Sequence, residues 1–138
     1  MRFLSLLLAG LVLSCSENVT STNPVPELEK EFAINHGEEL TFEGTDVSIQ
    51  FVDVVDNRCN VGDIVCVWSG DATILLDING QQEELNLYYP DRDHDWQSKP
   101  NSIISGYEIK LISLSPERRK TGDEPKNTYT AKLIVNPK

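Results

Sequence analysis

The sequence predicts an all-β domain, an antiparallel β-sandwich of about seven short strands with an immunoglobulin-like outline. Three observations lead there. Apolar and polar residues alternate with a period of two along several short runs. Gly, Pro, Asn and Asp separate those runs, and no segment holds a helical period over three turns. Alternation alone serves a small barrel equally well, so sandwich and barrel are both open at this point.

Taken in order, Glu31-Phe32-Ala33-Ile34-Asn35 alternates, His36-Gly37-Glu38 breaks the pattern, and Leu40-Thr41-Phe42 resumes it before Gly44. The run from Val47 to Val54 sets Val47, Ile49 and Phe51 on one face and Ser48, Gln50 and Val52 on the other. Ala72 to Ile78 leads into Asn79-Gly80, with Leu85-Asn86-Leu87-Tyr88 beyond. An Asn-Gly pair between two apolar runs is a strong hairpin signal, because both turn residues must tolerate positive φ. A polar stretch from Pro90 to Ser102 follows, then Tyr107 to Leu114 with Tyr107, Ile109 and Leu111 in step, ended by Pro116. The last strand spans Thr128 to Val135, with Tyr129, Ala131, Leu133 and Val135 on one face.

Ahead of the domain, Arg2 precedes an apolar run from Phe3 to Leu13. That run is about 11 residues, the length of a secretion-signal core and well short of the roughly 20 that span a bilayer. It closes on Val12-Leu13-Ser14-Cys15, which resembles the lipobox of bacterial lipoproteins; Leu13 stands where that pattern more often has Ala, Ser or Thr. The resemblance implies a signal over residues 1–14, removed to leave Cys15 as an acylated first residue that attaches the protein to a membrane of the cell envelope. Ser16 after the cysteine, in place of Asp, implies the outer membrane if the cell follows the enterobacterial sorting rule. Residues 15–28 are polar with two prolines and read as a tether with a root-mean-square span of about 20 Å, leaving 29–138 as one domain.

The chain has 12 basic and 22 acidic side chains. Removing Arg2 with the signal leaves a charge of about 11 − 22 = −11. Nucleic acid needs a basic face, and anionic headgroups repel such a surface, so membrane attachment falls to the acyl chains. The acidity reads first as solubility, and alternatively as a site for Ca²⁺ or a basic partner.

Lipidation of Cys15 resolves an odd count of three cysteines and leaves Cys59 and Cys66, in a compartment where disulfides persist. Their bridge closes a loop of about 8 residues, worth about 2.5 kcal/mol in the loop-entropy treatment. A redox pair usually has Cys-x-x-Cys spacing, and zinc needs about four ligands where the chain adds only His36 and His94. A structural bridge is the expectation.

The segment around these cysteines, Asp53 to Ala72, contains Arg58-Cys59, a short loop, Cys66-Val67-Trp68-Ser69-Gly70-Asp71-Ala72. It resembles a motif of small uncharacterised exported bacterial proteins, many of them lipoproteins, and the likeness extends over most of residues 47 to 135. That group commonly has proline after the first cysteine, where this chain has Asn60. The resemblance implies little about activity. From the residues themselves, Trp68 shares a face with Cys66 on an extended strand, Gly70 permits a bulge or tight turn, and Arg58 can pair with Asp56, Asp63 or Asp71. A cross-linked loop can also serve as a rigid binding tip.

A second candidate is Tyr88-Tyr89-Pro90-Asp91-Arg92-Asp93-His94-Asp95-Trp96. Asp91, Asp93 and Asp95 have the spacing that opens an EF-hand loop, but Trp96 and Ser102 stand where Gly and Glu complete it. No metal site is therefore assigned. Three uses remain for the segment: a solvated loop, a looser Ca²⁺ site, or a protein or glycan contact surface using Tyr88, Tyr89 and Trp96. No Gly-x-Ser-x-Gly elbow and no phosphate-cradling loop occurs, and 22 carboxylates make any chosen pair uninformative. The expectation is thus a non-catalytic binding or structural module with no catalytic residue and no cofactor. A Ca²⁺-dependent or glycan-contacting module is second, and a protease inhibitor or small hydrolase third.

Overall fold

The computed structural model describes residues 25–59, 70–88, 99–116 and 124–138; of Tyr88 it describes the backbone. Among these residues the chain forms eight strands and one 3₁₀ turn at Lys126–Thr128. The strands are β1 (Glu31–Asn35), β2 (Glu39–Thr41), β3 (Ser48–Asp56), β4 (Asp71–Ile78), β5 (Gln81–Tyr88), β6 (Asn101–Ile104), β7 (Tyr107–Ser115) and β8 (Thr130–Pro137). They build two antiparallel four-stranded sheets in the orders β1-β8-β7-β6 and β2-β3-β4-β5. The fold is an all-β sandwich.

Its connectivity differs from the immunoglobulin-like outline expected from strand spacing. That outline interleaves strands between sheets. Here β2 to β5 form one meander, β6 to β8 another, and β1 closes onto β8. The chain changes sheets at β1–β2 and at β5–β6, and hydrogen bonds draw both seams together. At the first, the Gly37 N–H donates to the Phe51 carbonyl at 2.7 Å and the Phe51 N–H to that of Glu38 at 3.0 Å. At the second, the Asn86 N–H donates to the Lys99 carbonyl at 2.8 Å, and Glu83 accepts from Lys99 and Ser102.

The strand missing from the sequence reading is β6. Its first two residues are polar, so it adds only Ile103 and Ile104 to the pattern. It pairs with β7 through a tight Ser105-Gly106 turn, both residues at positive φ. The expected Asn79-Gly80 hairpin forms, with φ of 52° and 83° and Ile78 opposite Gln81.

Alternation builds the core. Phe51, Ile74, Leu76, Leu111 and Leu133 come from both sheets and are at most 1% exposed, each worth about 1.5–3 kcal/mol on burial. On β3 and β7 the alternation shifts partway. Phe51 pairs with Leu76 but Asp53 with Leu75, so Val52 is an extra residue; Leu111 and Ser113 flank Ile112 in the same way. The buried positions therefore run Ile49, Phe51, then Val54 on β3, and Ile109, Leu111, then Leu114 on β7. The simple two-face assignment holds only up to each bulge. Past Val52, Asp56 falls in step with buried Val54 instead of facing away from the core.

The domain also begins earlier than the expected boundary at 29. Pro26 is buried, Leu28 packs against the core, and the Glu29 N–H donates to the Val135 carbonyl at 2.8 Å. The last residues of the expected tether thus lie on the sandwich.

Candidate functional site at the Arg58 end of the sandwich

The polar feature with the most consequence for the fold starts from the β3 bulge, which carries Asp56 inward at the strand end. The Asp56 Oδ1 accepts the Arg58 backbone N–H at 3.0 Å, a local turn of the kind aspartate favours. The Arg58 side chain then folds back over the same carboxylate. Its Nε donates to Oδ1 and its Nη2 to Oδ2, both at 2.8 Å, giving a two-pronged pair. Arg58 is 3% exposed overall, and the Asp56 side chain 4%.

A guanidinium that deep needs all its donors used. The Arg58 Nη1 donates to the Leu114 carbonyl at 3.1 Å and Nη2 to the Pro116 carbonyl at 2.6 Å, both at the exit of β7 in the opposite sheet. The Tyr129 hydroxyl, just ahead of β8, donates to Asp56 Oδ2 at 2.8 Å. Burial pushes the Asp56 carboxyl up, but the hydrogen bonds from the Arg58 side chain and backbone and from Tyr129, with the Arg58 charge, outweigh it. The carboxyl sits below the ordinary carboxylate range. Chemically, a carboxylate engaged on both oxygens is a clamp, and it fastens one sheet to the other.

Of the partners read for Arg58 from sequence, Asp56 is paired with it. Asp71 does other work: it accepts from Asn57 Nδ2 at 3.3 Å and from Asn86 Nδ2 at 2.8 Å, while its carbonyl accepts the Asn57 N–H at 2.8 Å. Asp63 lies outside the described residues. Gly70 adopts φ +77°, and a Cβ there would lie 2.1 Å from the Asn57 carbonyl oxygen and 2.7 Å from the Arg58 Cα. A glycine is needed there because the chain bearing Arg58 runs across it. The Tyr129, Leu114 and Pro116 contacts were not anticipated. The one available signal was that a tyrosine in step with core residues brings a hydroxyl that needs a partner.

A second polar group lies at Asp53, which accepts from the Val54 N–H at 2.8 Å and from the Lys126 ammonium, with His36 Nε2 at 3.9 Å. The Lys126 and Val54 hydrogen bonds hold this carboxyl below its usual range against a smaller effect of burial. Among the described residues the buried His36 Nε2 has no hydrogen-bond partner, and its ring meets Phe51 edge-on. A groove of about 370 Å³ runs beside β1, lined by Val25, Pro26, Phe32, Ala33 and Leu40; its charges are paired, Lys30 with Glu27 and Glu31 with Lys132. Among the described residues no three His, Cys, Asp or Glu side chains gather as a metal site.

Cys15, Cys66, Trp68, Tyr89, Asp91, Asp93, Asp95 and Trp96 lie outside the described residues. Their roots are described. Tyr88 pairs directly with Asp71, and Asp56 with Ala72, so the strands leading to positions 60–69 and 89–98 end side by side. The Arg58 contact with Pro116 brings the root of 117–123 to the same end. The two candidate segments read from sequence therefore spring from one end of one sheet. No family model, no curated protein and no solved structure matches the chain.

Proposed function

We propose that this protein is a lipid-anchored β-domain of the cell envelope, a non-catalytic binding or structural module that makes its contacts at the Arg58 end. The observation that carries the reading is the pairing of Tyr88 with Asp71 beside the buried Arg58 clamp. It gives the segments 60–69 and 89–98 neighbouring roots on a fixed base, and a preorganised base lowers the ordering cost of engaging a partner. Lipid attachment at Cys15 is supported by the apolar run and the lipobox-like residues ahead of it. A Cys59–Cys66 bridge is supported by the cysteine count after lipidation, which leaves these two. A Ca²⁺-dependent or glycan-contacting use of Tyr88 to Trp96 is the second reading, resting on the Asp91, Asp93 and Asp95 spacing beside aromatic residues.

A photo-crosslinking side chain placed in living cells at Val55 or at Ile103 tests the reading. Both are exposed, 54% and 58%. Val55 lies at the Arg58 end, whereas Ile103 lies near the Ser105-Gly106 turn at the other. Adducts with an envelope component from Val55 and not from Ile103 are expected; equal adducts from both, or from Ile103 alone, would contradict the assignment.

A further inference from the structure

The tight turn between β4 and β5, remote from the Arg58 end, carries chemistry of its own. Asn79-Gly80 is the one Asn-Gly sequence in the chain. Both residues are exposed. The hairpin fixes them at positive φ and aims two hydrogen bonds at the groups that an intramolecular attack uses. The Gly80 N–H donates to Asp77 Oδ1 at 2.7 Å. The Ser48 N–H donates to Asn79 Oδ1 at 2.8 Å, and the Asn79 N–H to the Ser48 carbonyl at 3.1 Å.

We infer that Asn79 is a site of spontaneous deamidation, with Asp77 acting as base for the Gly80 nitrogen and the Ser48 N–H polarising the side-chain carbonyl. A carboxylate at the nucleophile's proton and a fixed donor at the oxygen that gains charge are the two aids an acyl transfer needs. Gly80 has no side chain to obstruct the rotation that brings its nitrogen to Asn79 Cγ. In the step, the Gly80 N–Asn79 Cγ bond forms and the Cγ–Nδ2 bond breaks. The Gly80 proton passes to the Asp77 carboxylate and on to the leaving nitrogen, which departs as ammonia. Water then opens the cyclic imide at either carbonyl, leaving aspartate or isoaspartate at position 79, with no change of oxidation state. The isoaspartate product adds a main-chain methylene to a two-residue turn, so modification loosens the β4–β5 hairpin and its tie to Ser48.

The test incubates the full-length protein and Asp77→Asn at neutral pH and physiological temperature, with peptide mass spectrometry over time and circular dichroism to verify that both stay folded. Amide-to-acid conversion is expected at Asn79 ahead of every other asparagine, and several-fold slower in Asp77→Asn. The rate is also expected to rise more steeply with pH in that variant, where hydroxide alone removes the proton. Absence of conversion at Asn79 overturns the inference, as does an equal or faster rate in Asp77→Asn or an unchanged pH slope.

Discussion

The Tyr129 hydroxyl, ahead of β8, donates 2.8 Å to the carboxylate of Asp56, the last residue of β3, across the interface between the two sheets. Tyr129→Phe keeps the buried ring and removes that donor alone. Hydrogen bonds to charged groups contribute about 1.5–3 kcal/mol, and the carboxylate retains its Arg58 partners, so a loss near 1.5 kcal/mol is expected in denaturant unfolding. A variant as stable as wild type would show that the hydroxyl is not needed there.

Removing Arg58 should cost far more. Arg58→Ala strands a buried carboxylate and two carbonyls, and breaking such a pair costs about 3–5 kcal/mol. Replacing both Asp56 and Arg58 with apolar residues of similar size should recover much of that loss, because no uncompensated charge remains. A double-mutant cycle reads the coupling directly. An Arg58→Ala cost below about 1 kcal/mol would place the clamp among weak surface pairs.

Much of the fold is legible in sequence because a strand's period of two is imprinted on every long run, and Asn79-Gly80 announces its hairpin. What escapes is anything decided by a single inserted residue or a distant partner. In Val52-Asp53-Val54-Val55 nothing marks which residue is the extra one, so the inward turn of Asp56 is invisible. Asp56 is a legible partner for Arg58 because it is two residues away. Leu114, Pro116 and Tyr129 are more than 50 positions distant and join Arg58 and Asp56 only once the sheets have stacked. β6 escaped because two apolar residues make no periodic signal.

The depressed Asp56 carboxyl sets a pH dependence. The unfolded chain, with an ordinary aspartate near 3.8, binds the proton at higher pH than the folded one. Where only the unfolded state is protonated, stability rises with pH. The contribution of Asp56 is therefore complete above the ordinary aspartate range and is lost as pH falls through it to the lower folded value. Unfolding measured from neutral to strongly acidic pH should show this loss, and Asp56→Asn should flatten it. The same acid sensitivity in both proteins would assign the effect elsewhere, with Glu83, also held low by Lys99 and Ser102, the next group to replace.

Gly70 and Gly37 share a positive φ and differ in surroundings. Among the described residues Gly37→Ala meets nothing within 4 Å and should cost about 1–2 kcal/mol, the penalty for a side chain in the left-handed region. Gly70→Ala adds a collision with the Asn57 and Arg58 backbone and should cost clearly more, lowering the melting temperature further. Equal melting of the two variants would mean that residues 57–58 do not cross Gly70 as described.

The most direct test of a lipid-anchored, bridged envelope module is the intact mass of the protein extracted from membranes, taken before and after reduction and alkylation. The expected result is a chain starting at Cys15 that carries acyl mass, no alkylation before reduction, and two alkylated cysteines, Cys59 and Cys66, after it. A soluble protein with an unmodified Cys15, or with Cys59 and Cys66 free without reduction, would contradict it.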